Sequence, residues 1–223
     1  MDENYTEQRL FNVLTLDIET ASEGDKLTVD ELMPLHPKSM SKEDTIRKWA
    51  ENNIDVEYEK RALDRLKGRI ICISVKWNSE PSKIIPYNES EEFMLRELAK
   101  EFEAHKQIMY SCAIVGNRIK EFDLKWILQG AFKYGVKELI RFLPTTQNDK
   151  RPHDLSKIFN QYEYGAHTSV DDMCKFLGIE SPKEKMDGSM VGEYFRAGRL
   201  EEIYEYCMSD TDQEYEIYLK MLP

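Results

Sequence analysis

The chain has 223 residues, with 42 acidic against 31 basic side chains, a formal net charge of −11, and 41% hydrophobic content. That length suits one domain and is short for two full-sized ones. The acidity excludes a protein that coats nucleic acid by gripping its backbone without regard to sequence, and no apolar run of about 18 residues offers a membrane span. The polar start MDENYTEQRLF is not a secretory signal, and Cys72, Cys112, Cys174 and Cys207 lack metal-ligand spacing, so they read as reduced core thiols in a cytoplasmic protein.

LFNVLTLDI (Leu10 to Ile18) is apolar and β-branched and predicts a buried strand. Residues 21–67 carry Gly24, Pro34 and Pro37, then SKEDTIRKWAEN and EYEKRALDRLKG; they predict a helical insertion packed over one side of the sheet. RIICISVKW (Arg69 to Trp77) predicts a second strand, SKIIPYN a third in a hairpin-like arrangement, and IMYSCAIVG (Ile108 to Gly116) a fourth. Between the last two, Ser90 caps a predicted helix with Glu91 and Glu92 in its first turn and a stripe of Phe93, Met94, Leu98 and Phe102. LKWILQGAFKYG predicts a helix ending at Gly135, and HTSVDDMCKFLG one with a capping box from Thr168 to Asp171 and a stop at Gly178. SPKEKMDGS reads as a loop and EEIYEYCMSDTDQEYEIYLKML as the last helix. Without repeats or linkers, the pattern predicts one α/β domain over 1–223 with a mixed sheet flanked by helices.

Four acids in three segments carry the chemistry. Residues two apart on a strand share a face, so Asp17 and Glu19 of LTLDIET present two carboxylates side by side at the strand end. Asp123 follows VGNRIKEF at the start of a helix, where an acid either complements the helix dipole or approaches a ligand. Tyr206 and Asp210 are four apart on the last helix, hence on one face, with Ile203, Cys207, Ile217 and Met221 placing Asp210 near the buried side. A core-facing Asp needs either a salt-bridge partner or a metal. Converging carboxylates at the edge of a core are compensated most simply by a pair of divalent cations, the apparatus of in-line phosphoryl transfer.

In this order the segments resemble the DEDD superfamily of 3′→5′ exonucleases, in its tyrosine-bearing branch. Asp17-Ile18-Glu19-Thr20 is similar to the first motif, Phe122-Asp123 to the second, and Tyr206-Cys207-Met208-Ser209-Asp210 to the third, Tyr-x-x-x-Asp. The resemblance is closest to free-standing relatives of the proofreading domain of B-family DNA polymerases, and GRIICISV, VGNRIKEFD, HTSVDDMCKFLGI, DGSMV and EYCMSDTD add to it. It runs from Leu10 to Leu222 and is poorest over 21–66. The chain departs where relatives carry a second-motif Asn: Arg118 stands there, with Asn117 one place earlier.

The resemblance implies a ribonuclease H-like fold. It implies that Asp17, Glu19 and Asp210 hold a first Mg²⁺ or Mn²⁺, that Asp17 bridges to a second with Asp123 in support, and that Tyr206 orients the attacking water. The implied activity is 3′→5′ hydrolysis of single-stranded DNA to nucleoside 5′-monophosphates; an exoribonuclease, a silent binding module of the same fold, and a subunit whose protein partner supplies specificity are the alternatives. Thr20, Asn117, Arg118, Phe122 and His167 are the expected nucleic-acid contacts. Arg118 either forks onto a phosphate or pairs with Glu121, and His167 either touches a phosphate or caps a helix. Tyr162 and Tyr164 have the chemistry to stack on bases but are expected to pack against the core.

Overall fold

Alternation along β1 (Val13–Ser22) decides the layering. Leu14, Leu16 and Ile18 point to one face and are buried there, while Asp17 and Glu19 point to the other between Val13 and Ala21. The computed structural model describes residues 12–180 and 186–222, so the expected strand start at Leu10 and most of the loop SPKEKMDGS lie outside the described residues.

The other strands are β2 (Gly68–Trp77), β3 (Lys83–Ile85), β4 (Ala113–Gly116) and β5 (Pro152–Asp154). Among the described residues they form one five-stranded mixed sheet in the order β3-β2-β1-β4-β5. β1 pairs antiparallel with β2, which pairs antiparallel with β3; β4 runs parallel to β1, and β5 parallel to β4. β1 runs on to Ser22, so Asp17 and Glu19 sit mid-strand and not at its end, and the ladder to β2 shifts register between Glu19 and Thr20. Such a bulge re-aims side chains locally.

Helices cover both faces. On the Leu14–Leu16–Ile18 face lie α3 (Glu91–Ala104), α5 (Asp123–Tyr134) and α6 (Lys137–Phe142). On the carboxylate face lie α8 (Val170–Leu177), α9 (Val191–Arg196) and α10 (Leu200–Met221), whose Ile203, Cys207 and Ile217 are buried. The caps at Ser90, Gly135 and Gly178 form as expected, the two glycines in the left-handed conformation with φ of 66°. Phe93 departs from its expected stripe: it is exposed, and Leu95 takes the buried position.

Several boundaries differ from expectation. The strand expected from Ile108 begins at Ala113, because Ile108 and Met109 belong to a short helix, α4 (Lys106–Met109). The cap of α8 is Ser169, whose hydroxyl accepts from the Asp172 amide, while Thr168 pairs with Asn160. The insertion holds α1 (Val29–Leu32) and α2 (Glu43–Glu59), with Leu32 and Ala50 as its buried apolar residues. It rests on the end of β1 and the start of β2 through α2 and residues 60–63, and Glu59 at the end of α2 pairs with Arg196 of α9. α7 (Leu155–Phe159) and β5 had no expectation attached to them.

Candidate active site

β4 is short, and this opens the site. Its register sets Thr15 level with Val115, and after Gly116, which still pairs with Asp154 of β5, the chain leaves the sheet. A side chain at position 116 would collide, since a Cβ there would lie 2.9 Å from the Leu16 carbonyl oxygen and 2.9 Å from Ile119. Beyond that level β1 has lost its parallel neighbour, and the Ile18 amide donates instead to Asp123 Oδ1 at 3.2 Å. This contact draws the start of α5 against the strand that carries Asp17 and Glu19.

Asp123 is 3% exposed and Asp210 8%. Burial first, then the charges of Asp123 and Asp210, hold the Asp17 carboxyl well above the usual carboxylate range. Glu19 is raised in the same way, by burial and then by Asp17. Asp123 is pushed up to about 7 by burial, against the main-chain amides that hydrogen-bond it and pull the other way. The Tyr206 phenol is raised by burial and then by Asp210, Glu19 and Asp17. The side chains that the sequence separates by up to 193 positions thus meet in one electrostatically coupled cluster, and its mutual repulsion is what a cation would relieve.

Whether a divalent cation fits is decided by the donors. Asp17 Oδ2 is buried with no hydrogen-bond partner. An orphaned buried oxygen is costly in a finished structure and expected at a ligand site. Asp17, Glu19 and the Cys207 sulfur offer atoms within 4.8 Å of one another. The Cys207 thiol, however, points to the Asp17 carbonyl at 3.7 Å, and its own pKa is raised by burial. The remaining donors are all carboxylate oxygens, the chemistry of Mg²⁺ or Mn²⁺.

Two further buried acids had escaped notice. Glu214, 2% exposed and one turn beyond Asp210, accepts from the Asn117 amide at 2.7 Å and has its second oxygen buried without a partner. Burial, then Asp17 and Asp123, raises its pKa. Asp154 caps α7 with one oxygen and leaves the other buried and unpartnered beside Asp123. The i, i+4 spacing from Asp210 was a usable signal for Glu214; nothing local marked Asp154.

The expected nucleic-acid contacts divide. Asn117 lines a cavity of about 420 Å³ with Val170, Met186, Gly188, Tyr206 and Asp210. Arg118 adopts φ 60° and stands half-exposed, 3.7 Å from Glu121. His167 is exposed near the same Glu121. Phe122 packs on Trp126 at 5.4 Å between ring centres. Thr20 is turned away: its hydroxyl is buried and donates to the Ala62 carbonyl at 2.6 Å. A larger hollow of about 570 Å³ lies along the outer side of α10 around Asp212 and touches none of the four acids.

Residues 60–222 match the family model described as "predicted 3′-5′ exonuclease related to the exonuclease domain of PolB". The chain belongs to this family. The matched stretch contains Asp123, Tyr206 and Asp210; Asp17 and Glu19 precede it and join the site through the fold. No curated protein matches the chain. Among solved structures, the family B DNA polymerase from the hyperthermophilic archaeon Pyrobaculum calidifontis is similar, with a TM-score of 0.59 and 16% identity. The match covers 96% of this chain and 25% of the polymerase, so the chain spans about a quarter of that protein's length. That likeness is one of fold: the mixed sheet with helices on both faces is ribonuclease H-like, as the sequence motifs implied. Among the described residues, no helix is long and apolar enough to cross a membrane.

Proposed function

We propose that this PolB-related exonuclease hydrolyses the terminal phosphodiester at the 3′ end of single-stranded DNA with the help of two divalent cations, releasing nucleoside 5′-monophosphates. The observation that carries the reading is the coupled cluster of Asp17, Glu19, Asp123 and Asp210, with an orphaned oxygen at its centre and a phenol on its rim. Asp17, Glu19 and Asp210 would hold one Mg²⁺ or Mn²⁺ and Asp17 with Asp123 a second. Bound there, the pair supplies positive charge that lowers the pKa of water and neutralises the leaving oxygen.

The residues of the chain do the rest. Tyr206, kept protonated by burial and three neighbouring acids, hydrogen-bonds Asp210 on the wall of the cavity, and from there its phenol would orient the attacking water. Asp123 is held against β1 by the Ile18 amide and by a main-chain hydrogen bond of its own residue, so its carboxylate is kept beside Asp17. Asn117, Val170 and Met186 wall the cavity in which a terminal nucleotide fits, its volume of about 420 Å³ being of the size expected for a small ligand. Tyr206 four positions before Asp210 supports reading the protein as one of the tyrosine-bearing DEDD enzymes. The burial of Cys72, Cys112, Cys174 and Cys207 as thiols supports a cytoplasmic location.

Product analysis tests the reading. Single- and double-stranded DNA and RNA, incubated with Mg²⁺ or Mn²⁺, should yield nucleoside 5′-monophosphates, fastest from single-stranded DNA. Faster release from RNA would make the protein an exoribonuclease. No release from any polymer would leave the fold a binding module.

A further inference from the structure

Tyr162 and Tyr164 do not pack inward as expected: Tyr162 is 72% exposed and Tyr164 fully exposed. They stand on the turn after α7, where Gln161 and Tyr162 both adopt positive φ, 49° and 61°. Bulky residues avoid that conformation unless their surroundings impose it. Here the surroundings do. The Tyr162 amide donates to the Lys157 carbonyl at 2.7 Å, Asn160 Nδ2 donates to the Thr168 hydroxyl at 2.9 Å, and the Thr168 amide donates to the buried Ser156 hydroxyl at 2.9 Å. The turn is built to hold an aromatic ring out in solvent.

Tyr162 borders a hollow of about 530 Å³ lined also by Lys120, Asn148, Lys150 and His153. A neighbouring hollow of about 480 Å³ shares Lys120 and continues to Lys125 and the exposed Phe132. The carboxylates nearest this strip are already engaged, Asp149 with Arg151 at 2.6 Å and Glu121 with Lys157 at 2.6 Å. Among the described residues, Lys120, Lys125 and Lys150 stand in no ion pair, though the longer-range fields of Asp149 and Asp64 reach Lys120 and Lys125. Lys157, whose carbonyl anchors the Tyr162 amide, pairs with Glu121, which lies beside Arg118 and two positions before Asp123, so the strip borders the turn that leads to the candidate active site.

We propose that this strip is a track for single-stranded nucleic acid leading into the site, with Lys120 and Lys150 holding phosphates and Tyr162 stacking on a base. Ammonium groups interleaved with exposed rings are the chemistry of single-strand binding, whereas a duplex hides the base faces that a ring needs. The reason for a strand to lie there rests on the exonuclease reading, but the test reads binding alone.

The test is fluorescence anisotropy with labelled oligothymidine in an Asp210→Asn background, so that the strand is not degraded, with thermal melts confirming that each variant is folded. Tyr162→Ala should raise the Kd for a long strand roughly 5- to 150-fold, the loss of one stacked base, and Tyr162→Phe should restore it. Lys120→Ala with Lys150→Ala should flatten the slope of log K against log salt by about 1.4, or about 0.7 for each phosphate released. A dinucleotide, which fills the catalytic end alone, should bind Tyr162→Ala as it binds the parent. An unchanged Kd for the long strand, or an equal loss for the dinucleotide, would overturn the track. If the pattern holds but the wild-type protein hydrolyses nothing, the exonuclease reading fails and the track stands; hydrolysis with a Kd indifferent to Tyr162 reverses that outcome.

Discussion

The main-chain amide of Asn117 donates to Oε1 of Glu214 at 2.7 Å, which ties the turn that leads to Asp123 to the helix that carries Asp210. Glu214→Ala leaves that amide without its partner. The expected cost is roughly 1–3 kcal/mol of stability, read as a lower melting temperature, with a fall in kcat as the turn drifts. Glu214→Gln keeps a carbonyl oxygen in place and should recover most of both. A Gln variant as damaged as the Ala variant would mean that the charge itself is used.

Tyr206→Phe should slow hydrolysis by roughly 10²–10⁴-fold, the range for a positioned proton-handling group, while calorimetry finds Mg²⁺ and Mn²⁺ affinity unchanged. Loss of metal binding as complete as in Asp17→Ala would make Tyr206 structural.

Metal and pH act together on stability. Asp17, Glu19, Asp123 and Glu214 all have folded-state pKa values above their ordinary ones. Such groups hold protons more tightly folded than unfolded, so metal-free stability from this cluster should fall as pH rises from about 4, through the Asp123 value of about 7. Mg²⁺ or Mn²⁺ binds the folded state and should raise the melting temperature, most strongly near pH 7, where fewer protons compete. Melts with chelator and with metal across this range check both; a metal response larger at pH 5 than at pH 7 would contradict the account.

Legibility in the sequence followed period and punctuation. The two-residue spacing of Asp17 and Glu19 and the four-residue spacing of Tyr206 and Asp210 put each pair on one face before any fold was known, and Gly135 and Gly178 ended their helices where a left-handed residue was needed. Short elements were hidden. β5 has three residues, too few for a period, and its Asp154 is at once strand end, helix cap and neighbour of Asp123. IMYSC reads as strand because its residues are apolar, yet the amides of Met109, Ser111 and Cys112 close turns onto His105 and Ile108. Tyr162 was misjudged for the opposite reason: its exposure is set by hydrogen bonds to Lys157 and by the Asn160–Thr168 clasp, which no composition rule reports.

Arg118 replaces the second-motif Asn and reaches Glu121 at 3.7 Å, a long contact between half-exposed groups. Arg118→Ala should raise KM for single-stranded DNA more than it lowers kcat and flatten the salt dependence by about one phosphate contact. Unchanged KM and salt slope would leave Arg118 as a surface partner of Glu121.

The coupled carboxylates are tested most directly on a 5′-labelled single strand resolved by gel after incubation with Mg²⁺ or Mn²⁺. The wild-type protein should produce a ladder that shortens one nucleotide at a time from the 3′ end. Chelator, Asp17→Ala or Asp210→Ala should abolish it, while melting curves show both variants still folded. A ladder of wild-type intensity from either folded variant, or one that persists in chelator, would contradict the account.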